Sequence, residues 1–139
     1  MLYVWYYTYN TVLPFTVEFR LGEPVYEQVM YAVKKAIMAG NLAPGERFPS
    51  VRTLSQELKI NPRTAHKIVA ALTDEGVLAV QPGIGTVVTA PTNGSAEDRT
   101  ALLNEEAERL VVEADRLGLN EEQVIAAVRK HWRKLSPKS

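Results

Sequence analysis

From Pro24 onward the apolar residues Val25, Val29, Val33, Ala36 and Ile37 recur at three- and four-residue intervals, the spacing of one helix face, and predict a helix to about Ala39. Gly40 follows it, where a left-handed cap favours glycine, and Ala43-Pro44-Gly45 reads as a turn. Ser50 is placed to cap a second helix, Val51 to about Leu58, with Val51, Leu54 and Leu58 as its buried stripe. After Lys59 and Ile60, Asn61 suits an N-cap and Pro62 a first helical position. This third helix is expected to run to about Glu75, burying Ala65, Ile68, Val69 and Leu72, with Gly76 at its end. The pattern then becomes β-like in Val77–Val80 and Thr86–Thr89, joined by Gln81-Pro82-Gly83-Ile84-Gly85 as a glycine-bearing hairpin loop. Beyond the polar stretch Pro91 to Ser95, Leu103, Ala107, Leu110, Ala114 and Leu117 alternate four- and three-residue steps on a helix from about Ala96 to Leu117, which Gly118 stops. Asn120 and Gln123 then form a capping-box-like start to a last helix carrying Ile125, Val128, Trp132 and Leu135.

The order helix, helix, tight turn, helix, hairpin describes a winged helix-turn-helix. The predicted fold is mainly α with a small β-wing, followed by a two-helix C-terminal dimerisation region. Residues 1–20 read as an aromatic N-terminal extension, 21–90 as the winged domain, and 91–139 as linker plus two helices. In the extension, Trp5, Tyr6, Tyr7, Tyr9 and Phe15 are aromatic, and Val17, Glu18 and Phe19 alternate like a short strand. Such a lead either packs on the domain or meets a partner chain.

The formal net charge of the 139 residues is zero, which argues against a polycationic tail but not against a local basic face balanced by acids elsewhere. The absence of cysteine excludes disulfides, thiolate metal sites and cysteine nucleophiles. No apolar run approaches the about 20 residues that cross a bilayer, and the N-terminus lacks a basic region and small-residue cleavage site, so a cytoplasmic protein without membrane contact is expected. His66 and His131 lie far apart in the chain and form no metal spacing. Ser50 and Ser55 lack the glycine pattern of a nucleophile elbow. Gly83-x-Gly85 is not followed by the Lys-Ser/Thr helix of a phosphate loop. No catalytic residue, metal or cofactor is assigned, and an enzyme is not expected.

The candidate chemistry lies on the third helix. Its non-buried positions near the N-terminus are Arg63, Thr64, His66 and Lys67, all donors or hydroxyls, at the end that can enter the major groove and reach base edges. The amides there also favour a phosphate oxygen. Pro24-Val25-Tyr26-Glu27-Gln28, Gly40-Asn41-Leu42, Pro44-Gly45-Glu46-Arg47 and Phe48-Pro49-Ser50-Val51-Arg52 resemble the opening of the GntR family DNA-binding domain. Asn61-Pro62-Arg63-Thr64, Leu72-Thr73-Asp74-Glu75-Gly76 and Gly83-Ile84-Gly85-Thr86 resemble its remainder, and the short helical tail is similar to the YtrA-type branch. The resemblance implies that Arg52 contacts operator DNA, that Asn61, Arg63, Thr64 and His66 touch bases and phosphates, and that Gly83 lies at a wing tip near the minor groove. Three departures stand out: Lys59 where the family usually has glycine, His66-Lys67 in place of a more usual Gln or Arg pair, and a wing without the common basic residue.

The expected partner is a double-stranded, palindromic operator bound by a homodimer, most simply as a repressor. One winged helix reads too few base pairs to find an operator among competing sites, and a palindrome calls for a two-fold interface. The stripe Leu103, Leu110, Leu117, Ile125, Val128 and Trp132 is its candidate. Two short helices cannot enclose a drug-sized cavity, so any effector, whose existence and identity the residues do not reveal, is expected between chains, or regulation is expected to act on the N-terminal lead. The alternative function is a winged-helix protein-interaction module that uses the aromatic lead as its contact patch.

Overall fold

The computed structural model describes residues 6–8, 13–90 and 94–137. Among them, three helices and a hairpin make the first compact unit: α1 Val25–Met38, α2 Val51–Leu58, α3 Pro62–Asp74, and the antiparallel strands β3 Leu78–Gln81 and β4 Gly85–Val88. A second small ladder precedes them, pairing β1 Tyr6–Thr8 with β2 Glu18–Arg20 in the register Tyr7 opposite Phe19. The fully buried side chains Val29 and Val33 of α1, Leu54 of α2, Ala65, Ile68 and Leu72 of α3, and Leu42 between α1 and α2 fill one core. Phe15, Val17 and Phe19 of the lead enter that core, and the Phe15 ring stacks on Phe48 at 5.9 Å between centroids. Trp5 and Tyr9, also singled out in the lead, lie outside the described residues.

Gln28 explains how the lead is held. Its Oε1 accepts from the Arg20 amide at 2.6 Å, and its Nε2 donates to the carbonyls of Arg20 at 3.2 Å and Glu23 at 3.0 Å. One side-chain amide thus satisfies both backbone groups of Arg20, as a neighbouring strand does. Two details differ from the periodicity. Val51 and Val69 are half-buried at the edge of the core, because each lies at the margin of its helix stripe. The strands begin and end a residue away from the expected limits: Val77 and Thr89 still share a bond, the Thr89 amide donating to Val77 at 3.1 Å, but fall outside the regular ladder.

The second unit runs from the described residue Gly94 to Ser136. Ser95 caps α4 Ala96–Thr100 through the Asp98 amide, and α5 Ala107–Arg116 continues the same run. Between them, Ala101–Glu106 is wound as a π-helix, so the single regular helix expected from Ala96 to Leu117 is interrupted. The four-three spacing therefore holds from Ala107 onward, whereas Leu103 lies in the wider turn, whose bonds reach five residues along the chain. α6 Glu121–Leu135 opens with a complete capping box: Asn120 Oδ1 accepts from the Gln123 amide at 2.9 Å, and Gln123 Oε1 accepts from the Asn120 amide at 2.9 Å.

Candidate nucleic-acid interface

The turn between α2 and α3 is only Lys59, Ile60 and Asn61, and three side-chain hydrogen bonds fix the start of α2, the turn and the start of α3. Ser50 caps α2, its Oγ accepting from the Thr53 amide at 3.1 Å. The buried Ser55 hydroxyl donates across the turn to the Ile60 carbonyl at 2.8 Å. Asn61 Oδ1 accepts from the Arg63 amide at 2.8 Å, capping α3, with Pro62 at the first helical position. Ser50 and Ser55 thus serve the backbone. Lys59 ends α2 in a left-handed conformation, φ 53° and ψ 45°, and is the one non-glycine residue with positive φ among those described. That conformation accounts for the usual family glycine at this place in the turn.

α3 is anchored on one side by Ala65, Ile68 and Leu72, all at zero exposure. Its opposite side presents Arg63, His66, Lys67 and Ala70, exposed at positions spaced as one helix stripe, with Thr64 half-buried beside them. The Lys67 ammonium lies 5.1 Å from the centroid of the Tyr26 ring on α1, a cation–π contact that no periodicity in either helix reveals. Arg52 is exposed on α2. Among the described residues the ion pairs are Arg20–Glu23, Lys34–Glu75, Arg109–Glu106 and Arg116–Glu113, so Arg52, Arg63, His66 and Lys67 carry no carboxylate partner. Arg63 and Lys67 on the rigidly backed α3, with Arg52 on α2, stand without carboxylate partners among the described residues and suit a polyanion better than a solvated face laced with i,i+4 pairs.

The hairpin loop is the three residues Pro82, Gly83 and Ile84, closed by the Ile84 amide donating to the Gln81 carbonyl at 3.1 Å. Gly83 at φ +78° and Gly85 at φ +115° supply the backbone geometry such a tight loop requires. Sequence reading missed a neighbour of this hairpin. The segment 45–48 runs along β4: the Gly45 amide donates to Val88 at 2.8 Å, the Val88 amide to Glu46 at 2.9 Å, and the Phe48 amide to Thr86 at 2.8 Å. Arg47 pairs opposite Val87 and brings its guanidinium beside Gly85. The signal was absent because Arg47 and its partner are far apart in sequence and share no local pattern.

In the second unit the expected interface residues Leu103, Leu110, Leu117, Ile125, Val128 and Trp132 are all exposed, Trp132 by 67%. Ala114, at 6% exposure, is the one buried hydrophobic residue described there. No helix among the described residues is long and apolar enough to cross a membrane.

Comparisons with known proteins agree with this geometry. Residues 25–88, which span α1 through β4, match the bacterial regulatory proteins of the gntR family. The chain is 28% identical over 106 residues to the HTH-type transcriptional repressor YtrA of Bacillus subtilis, covering 76% of this chain and 82% of that protein. A GntR family transcriptional regulator from Listeria monocytogenes superposes with a TM-score of 0.61 at 27% identity, over 81% of this chain and 98% of the other. A transcriptional regulator from Oenococcus oeni superposes with a TM-score of 0.57 at 27% identity, over 78% and 90% of the two chains. The capped helix-turn-helix, the glycine hairpin and these likenesses together identify residues 25–88 as a winged helix-turn-helix domain of the GntR family, the domain of a DNA-binding transcriptional regulator.

Proposed function

We propose that the protein is a cytoplasmic repressor that binds a palindromic operator as a homodimer. The carrying observation is the exposed stripe Arg63, His66 and Lys67 on a helix whose other face is locked in the core. In this reading α3 lies in the major groove, Arg63 and His66 reach base edges, and Thr64, Lys67 and the α3 amides meet phosphates. Asn61 sets the start of α3 and offers its remaining amide donors to the backbone of the DNA. Arg52 reaches a base or phosphate from α2, and Gly83 lets the hairpin backbone approach the minor groove. YtrA, similar over most of its length, is named as a repressor, which supports the sign of regulation.

The second unit supports the dimer. A pair of helices that buries one alanine while Leu102, Leu103, Leu110, Val111, Val112, Leu117, Ile125, Val128 and Trp132 remain exposed has no core of its own to hold it together. A second copy supplies the missing apolar surface, and two-fold symmetry then sets two α3 helices on two half-sites. Selection of bound DNA from a random pool tests the reading. A two-fold-symmetric consensus is expected, and enrichment of a single asymmetric motif, or of none, would overturn it. Aromatic protein contact through the lead draws less support, since Phe15 is buried against Phe48.

A further inference from the structure

We infer that Arg47, from the loop between α1 and α2, supplies the phosphate contact that the hairpin itself lacks. The loop Gln81-Pro82-Gly83-Ile84-Gly85 carries no charged side chain. Arg47 stands directly opposite Val87 on β4, and partners across a ladder present their side chains to the same face. That face is the one turned from the main core: Val88 belongs to the core cluster, while its neighbour Val87 does not, although Val87 is only 3% exposed. From this position the Arg47 side chain reaches toward the loop, and its Nη2 ends 3.9 Å from where a side chain on Gly85 would begin. A long side chain that covers apolar surface with its stem and keeps its charge in solvent is the usual behaviour of arginine.

Arg47 is exposed and forms no ion pair among the described residues, and the adjacent Glu46 makes none with it. An unpaired guanidinium at the base of a hairpin is suited to a phosphate oxygen, which its planar donor fork can grip with two bonds. The charge that a wing commonly carries in its loop is here delivered from a segment more than thirty residues earlier, held in place by the three backbone bonds of 45–48 to β4. Covering Val87 alone would be a packing role, and the test separates the two.

This inference rests on the hairpin lying against DNA. Arg47→Met keeps the stem and removes the charge. The expected result is an unchanged melting temperature with a log K against log salt slope shallower by about 1.8 for the homodimer, about 0.9 for the phosphate contact of each copy, while Arg47→Lys restores the slope. A wild-type slope in Arg47→Met overturns the assignment, whether or not the melting temperature falls. If Arg47→Met is too unstable to measure, Arg47→Gln reads the same slope. Arg63→Ala runs alongside as a control. Loss of specific binding there, with a wild-type slope in the Arg47 variant, removes only the Arg47 contact, whereas unchanged binding in both variants rejects the interface as a whole.

Discussion

Lys59 occupies a backbone conformation that disfavours every residue with a side chain, by about 1–2 kcal/mol. Glycine would relieve that strain but has more freedom to lose on folding, so Lys59→Gly is expected to raise stability by up to about 1 kcal/mol in urea unfolding. The same change removes a positive charge from the turn that faces DNA in the proposed complex. Affinity should then fall for all sequences alike, which a titration at low and high salt reads directly. A chain that keeps lysine here trades local strain for charge. Arg52 and Arg63 belong to the same scale. Each is exposed and has no carboxylate partner among the described residues, and each side chain can pair bidentately with guanine. Replacing either with alanine should cost about 1–3 kcal/mol in operator binding and relax the sequence preference at one position. Unchanged operator affinity in both variants would contradict their assignment.

The elements show which parts of the molecule announce themselves. Ser50, Asn61 and Pro62 mark the starts of α2 and α3 because a cap acts within three residues of itself, so local sequence suffices. Gln123 is legible from Asn120 for the same reason. The pairing of Arg47 with Val87, the Lys67–Tyr26 contact and the entry of Phe15, Val17 and Phe19 into the core depend on chain segments distant in sequence, and no period encodes them. The π-helical Ala101–Glu106 was hidden differently, since Ala-Leu-Leu-Asn-Glu-Glu consists mostly of residues that favour an ordinary α-helix. Asn61 gives an element-scale test. Because its Oδ1 is engaged by the Arg63 amide, Asn61→Ala should cost about 1 kcal/mol of stability. Asn61→Ser should restore most of that stability, since serine can also cap. If operator affinity then remains low in the serine variant, the asparagine NH2 group contacts DNA. If affinity returns with stability, its role is the cap.

At the scale of the whole molecule the two compact units are expected to respond differently to dilution. The winged unit has a buried core built from α1, α2, α3, β2 and the hairpin. Among the described residues, the helices α4 to α6 bury only Ala114. If a second copy covers them, their stability is a binding equilibrium, and their melting temperature should rise with protein concentration. Wild type should run as a dimer at micromolar concentration, whereas Leu110→Asp combined with Trp132→Asp should run as a monomer that holds half-sites weakly. Each apolar side chain removed from such an interface is worth about 1.5–3 kcal/mol, enough for two to dissociate a moderate dimer. A truncation after Gly94 that remained dimeric with unchanged affinity would place the interface elsewhere.

The backbone bonds from residues 45–48 to β4 have a mechanical consequence. Two residues beyond Phe48 the chain reaches Ser50, the cap of α2, and then Arg52. The hairpin and the start of α2 are therefore splinted by a nearly inextensible stretch of chain, and neither can swing far without breaking bonds or pulling the other. A free hairpin would have to surrender conformational entropy each time it met a ligand; a splinted one has surrendered it on folding. Amide exchange at Gly45, Phe48 and Val88 should accordingly be slow before any DNA is present, and should change little once it binds.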